Sequence, residues 1–320
     1  MQIVRLVALA VSAVAFTACS NDVAVTSPEA RLNVDVAAAP PGTVLVLPGG
    51  GPNVFTNGWR GYRDRPVAVG TSSIVTNPSF PGSGFGSLAI TNTSSPLGGW
   101  EVAAFHSPPG GLAGTRLDAV TRLEYSTYTA TQAGVSAILH ATLQFTADFD
   151  LNDAFTGFEG RLVYEPYHCN ATALDTWTTW NTMDGANTGC WFTSRLSVTK
   201  NAVTAASACP QANPCTWSEV LTAYPNAGFR LDASVDPSTL LPANRSLILK
   251  AGSPWTGTFN ADNVSIATSS GVDITYDFEP YDVATAFAEC TEDGWMNVTR
   301  ADGSAFKNQG DCVSYIRNGK

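Results

Sequence analysis

The feature that most constrains the fold is a strict alternation of apolar and polar residues between positions 138 and 150. One set of alternate positions is apolar, namely Leu139, Ala141, Leu143, Phe145, Ala147 and Phe149. The intervening set is polar, namely His140, Thr142, Gln144, Thr146, Asp148 and Asp150. Because successive side chains of a strand point to opposite faces, the pattern predicts a long strand with one face in a core and the other toward water.

Shorter runs rich in β-branched and aromatic residues recur between turn clusters. They are Ser87–Asn92, Trp100–Phe105, Thr121–Thr129, Gly160–Tyr164, Thr176–Asn181, Phe229–Ser234, Ser246–Ala251, Asn263–Ala267 and Asp273–Phe278. About ten strands without alternating helices predict an all-β, two-sheet sandwich. We expect one short helix from Trp217 to Tyr224, because Thr216 and Glu219 have capping-box spacing and Pro225 stops the helix.

The N-terminus has the pattern of an export signal. Arg5 precedes an apolar run from Leu6 to Phe16 that only Ser12 interrupts, and Thr17-Ala18-Cys19 follows. This run is too short to span a membrane and fits a signal peptide. The rest of the sequence also contains no apolar stretch long enough to span a bilayer.

The segment Phe16-Thr17-Ala18-Cys19 resembles the lipobox of bacterial lipoproteins. The resemblance implies that Cys19 is lipidated, becomes the new N-terminus and anchors the protein to a membrane. Ser20 follows instead of Asp, which by the family's sorting rule implies the outer membrane or cell surface. Phe16 stands where the family usually has Leu, so the alternative is a secreted protein whose signal is cut near Ala18 or Ser20.

These patterns divide the chain into four parts. Residues 1–18 are the predicted signal peptide, and 19–54 are the lipidated cysteine and a flexible tether rich in Ala, Pro, Val and Gly. Residues 55–280 form the sandwich, and 281–320 form a small C-terminal module. Thr43–Leu47 has strand character, and docking of this segment on the sandwich would shorten the tether.

The cysteine count indicates disulfides. Of seven cysteines, the lipid takes Cys19 and leaves an even number, as is typical of an exported disulfide-bonded chain. Proximity in sequence favours three pairs, namely Cys169 with Cys190, Cys209 with Cys215 and Cys290 with Cys312. The last pair would staple the C-terminal module. The spacing argues against zinc, because no C-x-x-C occurs.

Two groups of residues are candidates for ligand binding. The first is a polar sheet face with His140 and Gln144, joined by Arg161 and Glu165 if their strands are neighbours. The second is aromatic, because two tryptophans three positions apart on a strand point to opposite faces and only one enters the core. Its members are Trp177 and Trp180, with Trp191 and Trp255 as further ring platforms.

Three segments together resemble the jelly-roll carbohydrate-binding modules of secreted bacterial proteins. They are Gly86–Ile90, Leu112–Thr115 and Phe259–Ile266, the last with the Asp-Asn-Val of a closing strand. The resemblance implies a two-sheet jelly-roll sandwich and a surface-anchored, non-catalytic binding module directed to a glycan. The segment Tyr276–Glu279 and the C-terminal module depart from that pattern.

Two other functions stay open at this point. The first is a structural or adhesive envelope lipoprotein that acts through contacts with an envelope protein. The second, less favoured, is a polysaccharide-active enzyme, because no recognisable catalytic motif occurs. The net charge of -10 argues against nucleic acid as a partner.

Calcium is the one cofactor that the sequence suggests. Asp148, Asp150, Asn152 and Glu159 have the spacing of EF-hand ligands, although Asp153 occupies the position that requires glycine. A second group of candidate oxygen ligands is Asp262, Asp277 and Glu279.

Overall fold

The computed structural model describes residues 42–318, with gaps. The gaps are 66, 82–85, 94–97, 105–111, 134, 136–138, 156–157, 170–172, 184–188, 195, 197–207, 231–234, 237–240, 243–245, 253–254, 281–289, 292–293 and 297–303. The predicted signal peptide, Cys19 and most of the expected tether therefore lie outside the described residues. In the described part of the chain, no helix is long and apolar enough to cross a membrane.

Strands account for most of the regular structure. They are β1 Thr43–Val46, β2 Trp59–Arg63, β3 Gly70–Val75, β4 Ser87–Asn92, β5 Trp100–Ala104, β6 Val120–Tyr128, β7 Thr142–Asp148, β8 Gly160–Tyr164, β9 Thr178–Asn181, β10 Trp191–Ser194, β11 Gly228–Phe229, β12 Val235–Asp236, β13 Leu241–Pro242, β14 Leu247–Ala251, β15 Gly257–Thr268 and β16 Asp273–Phe278. The helices are α1 Trp217–Ala223 and α2 Gln309–Asn318, with 3-10 turns at Leu117–Ala119, Pro166–His168 and Gly294–Met296.

The strands form two seven-stranded sheets and one small hairpin. Sheet 1 has the order β1, β16, β15, β4, β3, with β6 also paired to β15 and β9 paired to β6. Sheet 2 has the order β10, β8, β7, β14, β5, β2, with β11 also paired to β7. The hairpin joins β12 and β13. The predicted all-β, two-sheet jelly-roll sandwich is confirmed.

The core lies between the two sheets and is made by alternate residues of each strand. Leu143, Phe145 and Ala147 of β7 point into it, as the alternation predicted, and Leu88 and Ile90 of β4 enter from sheet 1. The prediction for the opposite face of β7 was wrong, because Gln144, Thr146 and the other polar residues of the strand are buried too. Sheet 2 is therefore covered on both faces at this strand.

Three local features of the structure can be compared with the sequence patterns. The helix α1 begins with the predicted capping box, in which the Glu219 amide donates to Thr216 Oγ1 at 3.1 Å and the Thr216 amide donates to Glu219 Oε2 at 2.7 Å. A second helix, α2, was missed because its sequence is polar and contains Gly310. The strand β1 pairs in parallel with β16, so ordered structure begins well before residue 55.

All three predicted cysteine pairs are disulfides in the structure. They join Cys169 to Cys190, Cys209 to Cys215 and Cys290 to Cys312. In the C-terminal module, Phe306 packs with the last pair in a small cluster of its own, separate from the core between the sheets. Bridges of this kind stabilise short loops and small modules that bury little apolar surface.

Candidate functional site

Two of the predicted ligand-binding residues, Gln144 and Arg161, meet on the outer face of sheet 2. Arg161 Nη1 donates to Glu101 Oε1 at 2.6 Å and to Gln144 Oε1 at 3.3 Å. Lys250 Nζ lies 3.5 Å from the same Glu101 oxygen and donates to Asp64 Oδ2 at 2.6 Å. We call these five residues the charged ladder.

The register of the strands builds the charged ladder. Glu101 of β5 is directly opposite Lys250 of β14, which places opposite charges side by side. The Glu101 and Arg161 side chains are both fully buried. Sequence reasoning missed Asp64, Glu101 and Lys250, although a single charge inside an apolar run, as in Trp100-Glu101-Val102, was a usable signal.

His140 belongs to a different environment from Gln144. Regular pairing of β7 begins only at Thr142, so the parity of the sequence pattern does not extend to residue 140. His140 Nδ1 lies 3.0 Å from Thr127 Oγ1, which accepts the indole N–H of Trp180 at 2.7 Å. Burial lowers the pKa of His140 to about 4. The neutral His140, just before β7 of sheet 2, and Trp180, in β9 of sheet 1, thus make a buried contact.

Trp177 lies outside the core, whereas Trp180 is part of it. The Trp177 ring is half-buried between Phe80, at a centroid distance of 5.3 Å, and Tyr128, at 5.7 Å. We call Phe80, Tyr128 and Trp177 the outer ring group. Beside it, Asp175 Oδ2 accepts the Thr131 hydroxyl at 2.6 Å and Asp175 Oδ1 accepts the Thr131 amide at 2.9 Å.

The other predicted residues are dispersed. Glu165 follows β8, where its Oε2 accepts Gln211 Nε2 at 3.2 Å and lies 3.4 Å from His168 Nε2. Trp191 is fully buried and donates its indole N–H to the Thr182 carbonyl. Trp255 is one of the exposed large side chains, at 38 % exposure.

The predicted EF-hand-like segment has the hydrogen bonds of successive turns. Asp148 Oδ1 accepts the Asp150 amide, and Asp150 Oδ1 accepts the Asn152 amide. Glu159 Oε2 accepts the Phe149 amide at 2.6 Å, and its other oxygen lies 4.0 Å from Arg230 Nη1. The structure therefore gives these oxygens backbone donors, as expected at a strand end.

The second candidate oxygen group does converge. Ligand atoms of Asp262, Asp277 and Glu279 all lie within 4.8 Å of one another, and all three residues are buried. We call them the carboxylate cluster. It lies where β15 changes partner along one edge, from β4 at Ala261 to β16 at Val264. A register shift between Asp262 and Ser265 accompanies the change.

Asp262 is the most constrained member of the carboxylate cluster. Its Oδ1 accepts the amides of Asn263 at 2.8 Å and Phe278 at 3.0 Å, while its buried Oδ2 accepts no hydrogen bond from the part of the chain that the structure describes. Burial raises the pKa of Asp262 well above its usual value, and the neighbouring Asp277 and Glu279 carboxylates raise it further. Carboxylate oxygens are the ligands that calcium prefers, so these are the residues that fit a hard cation.

Comparison with known proteins yields distant structural similarities. No family model matches the chain, and no curated protein matches it. A family 11 carbohydrate-binding module of the cellulosomal cellulase Lic26A-Cel5E of Clostridium thermocellum is 13% identical, with a TM-score of 0.32, over 66% of this chain and 88% of that chain. The module from Clostridium thermocellum in complex with a β-1,3-1,4-mixed-linked tetrasaccharide is 14% identical, with a TM-score of 0.32, over 66% and 89%.

A third similar structure is a β-1,2-glucanase from Parabacteroides distasonis. It is 10% identical, with a TM-score of 0.31, and the match covers 66% of this chain and 23% of that chain. At these values no residue role passes from the three proteins to this chain.

Proposed function

We propose that this protein is an exported glycan-binding module, anchored by a lipid on Cys19, that binds sugar rings with the outer ring group. The observation that carries the proposal is the contrast between two tryptophans of one segment. The indole N–H of Trp180 donates to Thr127 inside the fold, whereas the Trp177 ring is half-buried and lies outside the core.

The outer ring group has the chemistry that a pyranose needs. One face of a pyranose presents C–H bonds that stack on an aromatic ring, and its hydroxyls need donors and acceptors at the ring edge. Tyr128 and Trp177 supply the rings, and Asp175 lies within 3.5 Å of the Tyr128 hydroxyl. On the same face of sheet 1, Ser126 of β6 and Thr179 of β9 are paired, and their hydroxyl oxygens lie 2.9 Å apart.

Two features support export and anchoring. The three disulfides fit a protein that matures in an oxidising compartment. The lipobox-like segment ending at Cys19 supplies the attachment point, and several acyl chains on one residue suffice for stable membrane binding.

Affinity electrophoresis of the purified protein in gels containing starch, xylan, galactomannan or a mixed-linkage β-glucan tests binding. We expect at least one polysaccharide to retard the protein and Trp177→Ala to weaken that binding about tenfold, the loss expected for about 1.4 kcal/mol of stacking energy. Met296→Ala, which removes an exposed apolar side chain elsewhere, serves as the control and should bind like the wild type.

Two outcomes would overturn the glycan proposal. One is a wild-type protein that no polysaccharide retards, and the other is equal binding by the Trp177→Ala variant and the control. If in addition crosslinking on intact cells recovers one stable protein partner, the envelope-protein alternative takes its place.

Fractionation of cells tests the anchor. The wild-type protein should sediment with membranes and incorporate labelled palmitate, whereas Cys19→Ser should do neither. Sedimentation and labelling that survive the substitution would remove Cys19 as the lipid site and leave the glycan proposal intact.

A further inference from the structure

The connection from β8 to β9 carries an exposed ring, Tyr167, besides the half-buried Trp177. It leaves sheet 2 at Tyr164 and enters sheet 1 at Thr178, and its first turn is the 3-10 segment Pro166–His168. Tyr167 at the centre of that turn is 46 % exposed. Its ring stands perpendicular to the His168 imidazole at a centroid distance of 5.1 Å.

Two polar side chains, Glu165 and Gln211, meet next to this turn. Glu165 lies two residues before Tyr167 in the chain. Its Oε2 accepts a hydrogen bond from Gln211 Nε2 at 3.2 Å. Among the described residues Glu165 Oε1 accepts no hydrogen bond, and both side chains reach solvent. A carboxylate and a carboxamide side by side present acceptors and a donor spaced like two neighbouring hydroxyls of a sugar.

Two disulfides hold these groups in place. Cys169 closes the turn that carries Tyr167, and the Glu165 amide donates to the carbonyl of its partner Cys190 at 3.1 Å. Gln211 lies inside the short loop that Cys209 and Cys215 close. A site whose side chains are fixed before binding loses less conformational entropy when the ligand arrives.

We propose that Tyr167, Glu165 and Gln211 form a second sugar-binding subsite, specific for a neutral pyranose of the same glycan class. The pyranose stacks on Tyr167, and two adjacent hydroxyls bond to the carboxylate of Glu165 and the carboxamide of Gln211. The Glu165 charge disfavours phosphorylated or uronic-acid ligands. This inference rests on the proposed function, since it assigns a further contact to the same polysaccharide.

Titration calorimetry of the full-length mature protein with the retarding polysaccharide tests the subsite. We expect Tyr167→Ala to weaken binding about tenfold, Tyr167→Phe to bind like the wild type, and Glu165→Gln to weaken binding about threefold. Thermal unfolding and disulfide mapping of each variant check that the fold is kept. Chitosan, a cationic glycan, is the second probe.

The outcomes separate this inference from the proposed function. If Trp177→Ala weakens binding and Tyr167→Ala does not, the second subsite is wrong and the proposed function stands. If Tyr167→Ala and Tyr167→Phe lose binding equally, stacking is not the interaction. Binding to chitosan alone overturns the assignment of a neutral ligand, and absence of binding by the wild type to every polysaccharide overturns both proposals.

Discussion

On sheet 2 the buried carboxylate of Glu101 lies between the cations of Arg161 and Lys250, whereas on sheet 1 the buried carboxylate of Asp262 lies beside two other carboxylates. Both groups are placed by strand register. In the charged ladder the neighbouring strands bring opposite signs together, and in the carboxylate cluster they bring like signs together. Strand register can therefore either neutralise a buried carboxylate or raise its proton affinity, and the second arrangement suits binding of a cation or a proton.

The largest effect is expected from breaking the charged ladder. Arg161→Met removes a fully buried partner of Glu101, and we expect the free energy of unfolding in urea to fall by about 3 to 5 kcal/mol, because a buried charge loses its main partner. The double variant Arg161→Met with Glu101→Gln should recover much of that loss. If Arg161→Met alone is as stable as the wild type, the Arg161–Glu101 pair does not neutralise the charge on the outer face of sheet 2.

His140 shows a third way to bury a titratable group, which is to keep it neutral. Its pKa is about 4 in the fold and about 6.5 when unfolded, so the unfolded chain binds the proton first as the pH falls. Stability should therefore decrease between pH 6.5 and 4, by about 3 kcal/mol from this residue. His140→Gln should lose this part of the pH dependence in urea unfolding; an unchanged profile would contradict the assignment.

The carboxylate cluster should respond with the opposite sign. Because the pKa of Asp262 is raised in the fold, the folded chain holds the proton more tightly, and stability falls as the pH rises above the unfolded value. Asp262→Asn keeps an acceptor for the two backbone amides and removes a charge. We expect it to stabilise the protein at pH 7 by about 1 kcal/mol in urea unfolding.

Added calcium tests whether the carboxylate cluster or the EF-hand-like segment binds a cation. If the carboxylate cluster holds calcium, millimolar calcium should raise the Tm of the wild type, chelator should reverse the rise, and Asp262→Asn should show neither effect. The Asp148→Asn variant is the control for the EF-hand-like segment. A calcium response lost in that control and kept in Asp262→Asn would move the site to the other segment.

The smallest effect is expected from an ion pair at the surface. Arg122 of β6 and Asp273 of β16 are paired, with 38 % and 69 % of their side chains exposed. Asp273→Asn should change stability by less than about 0.5 kcal/mol in urea unfolding, because solvent screens the charges. A loss comparable to that of Arg161→Met would mean that burial does not distinguish the two pairs.

Local signals explain which parts of the fold were predictable. The bounds of β4 matched the sequence pattern, and the Thr216 capping box and the disulfides were read correctly, because each depends on residues near in sequence. The partners within the charged ladder were not predictable, because Glu101 and Lys250 meet only through the pairing of strands far apart in the chain. His140 was misassigned to the face of Gln144 because alternation continues in sequence beyond the point where pairing stops.

The order in which strands join the sheets has a consequence for the folding of a chain that emerges gradually from its N-terminus. β15 pairs with β4, β6 and β16, and β14 joins β5 to β7, yet both strands lie in the last quarter of the chain. A chain that emerges N-terminus first thus exposes an unpaired edge of β5 until β14 has appeared, and an unpaired edge of β4 until the first half of β15 has appeared. Pairings so distant in sequence form slowly, and exposed edges promote aggregation. We therefore expect chains truncated before β14 to be insoluble, and a protecting chaperone to matter most during the last stage of emergence.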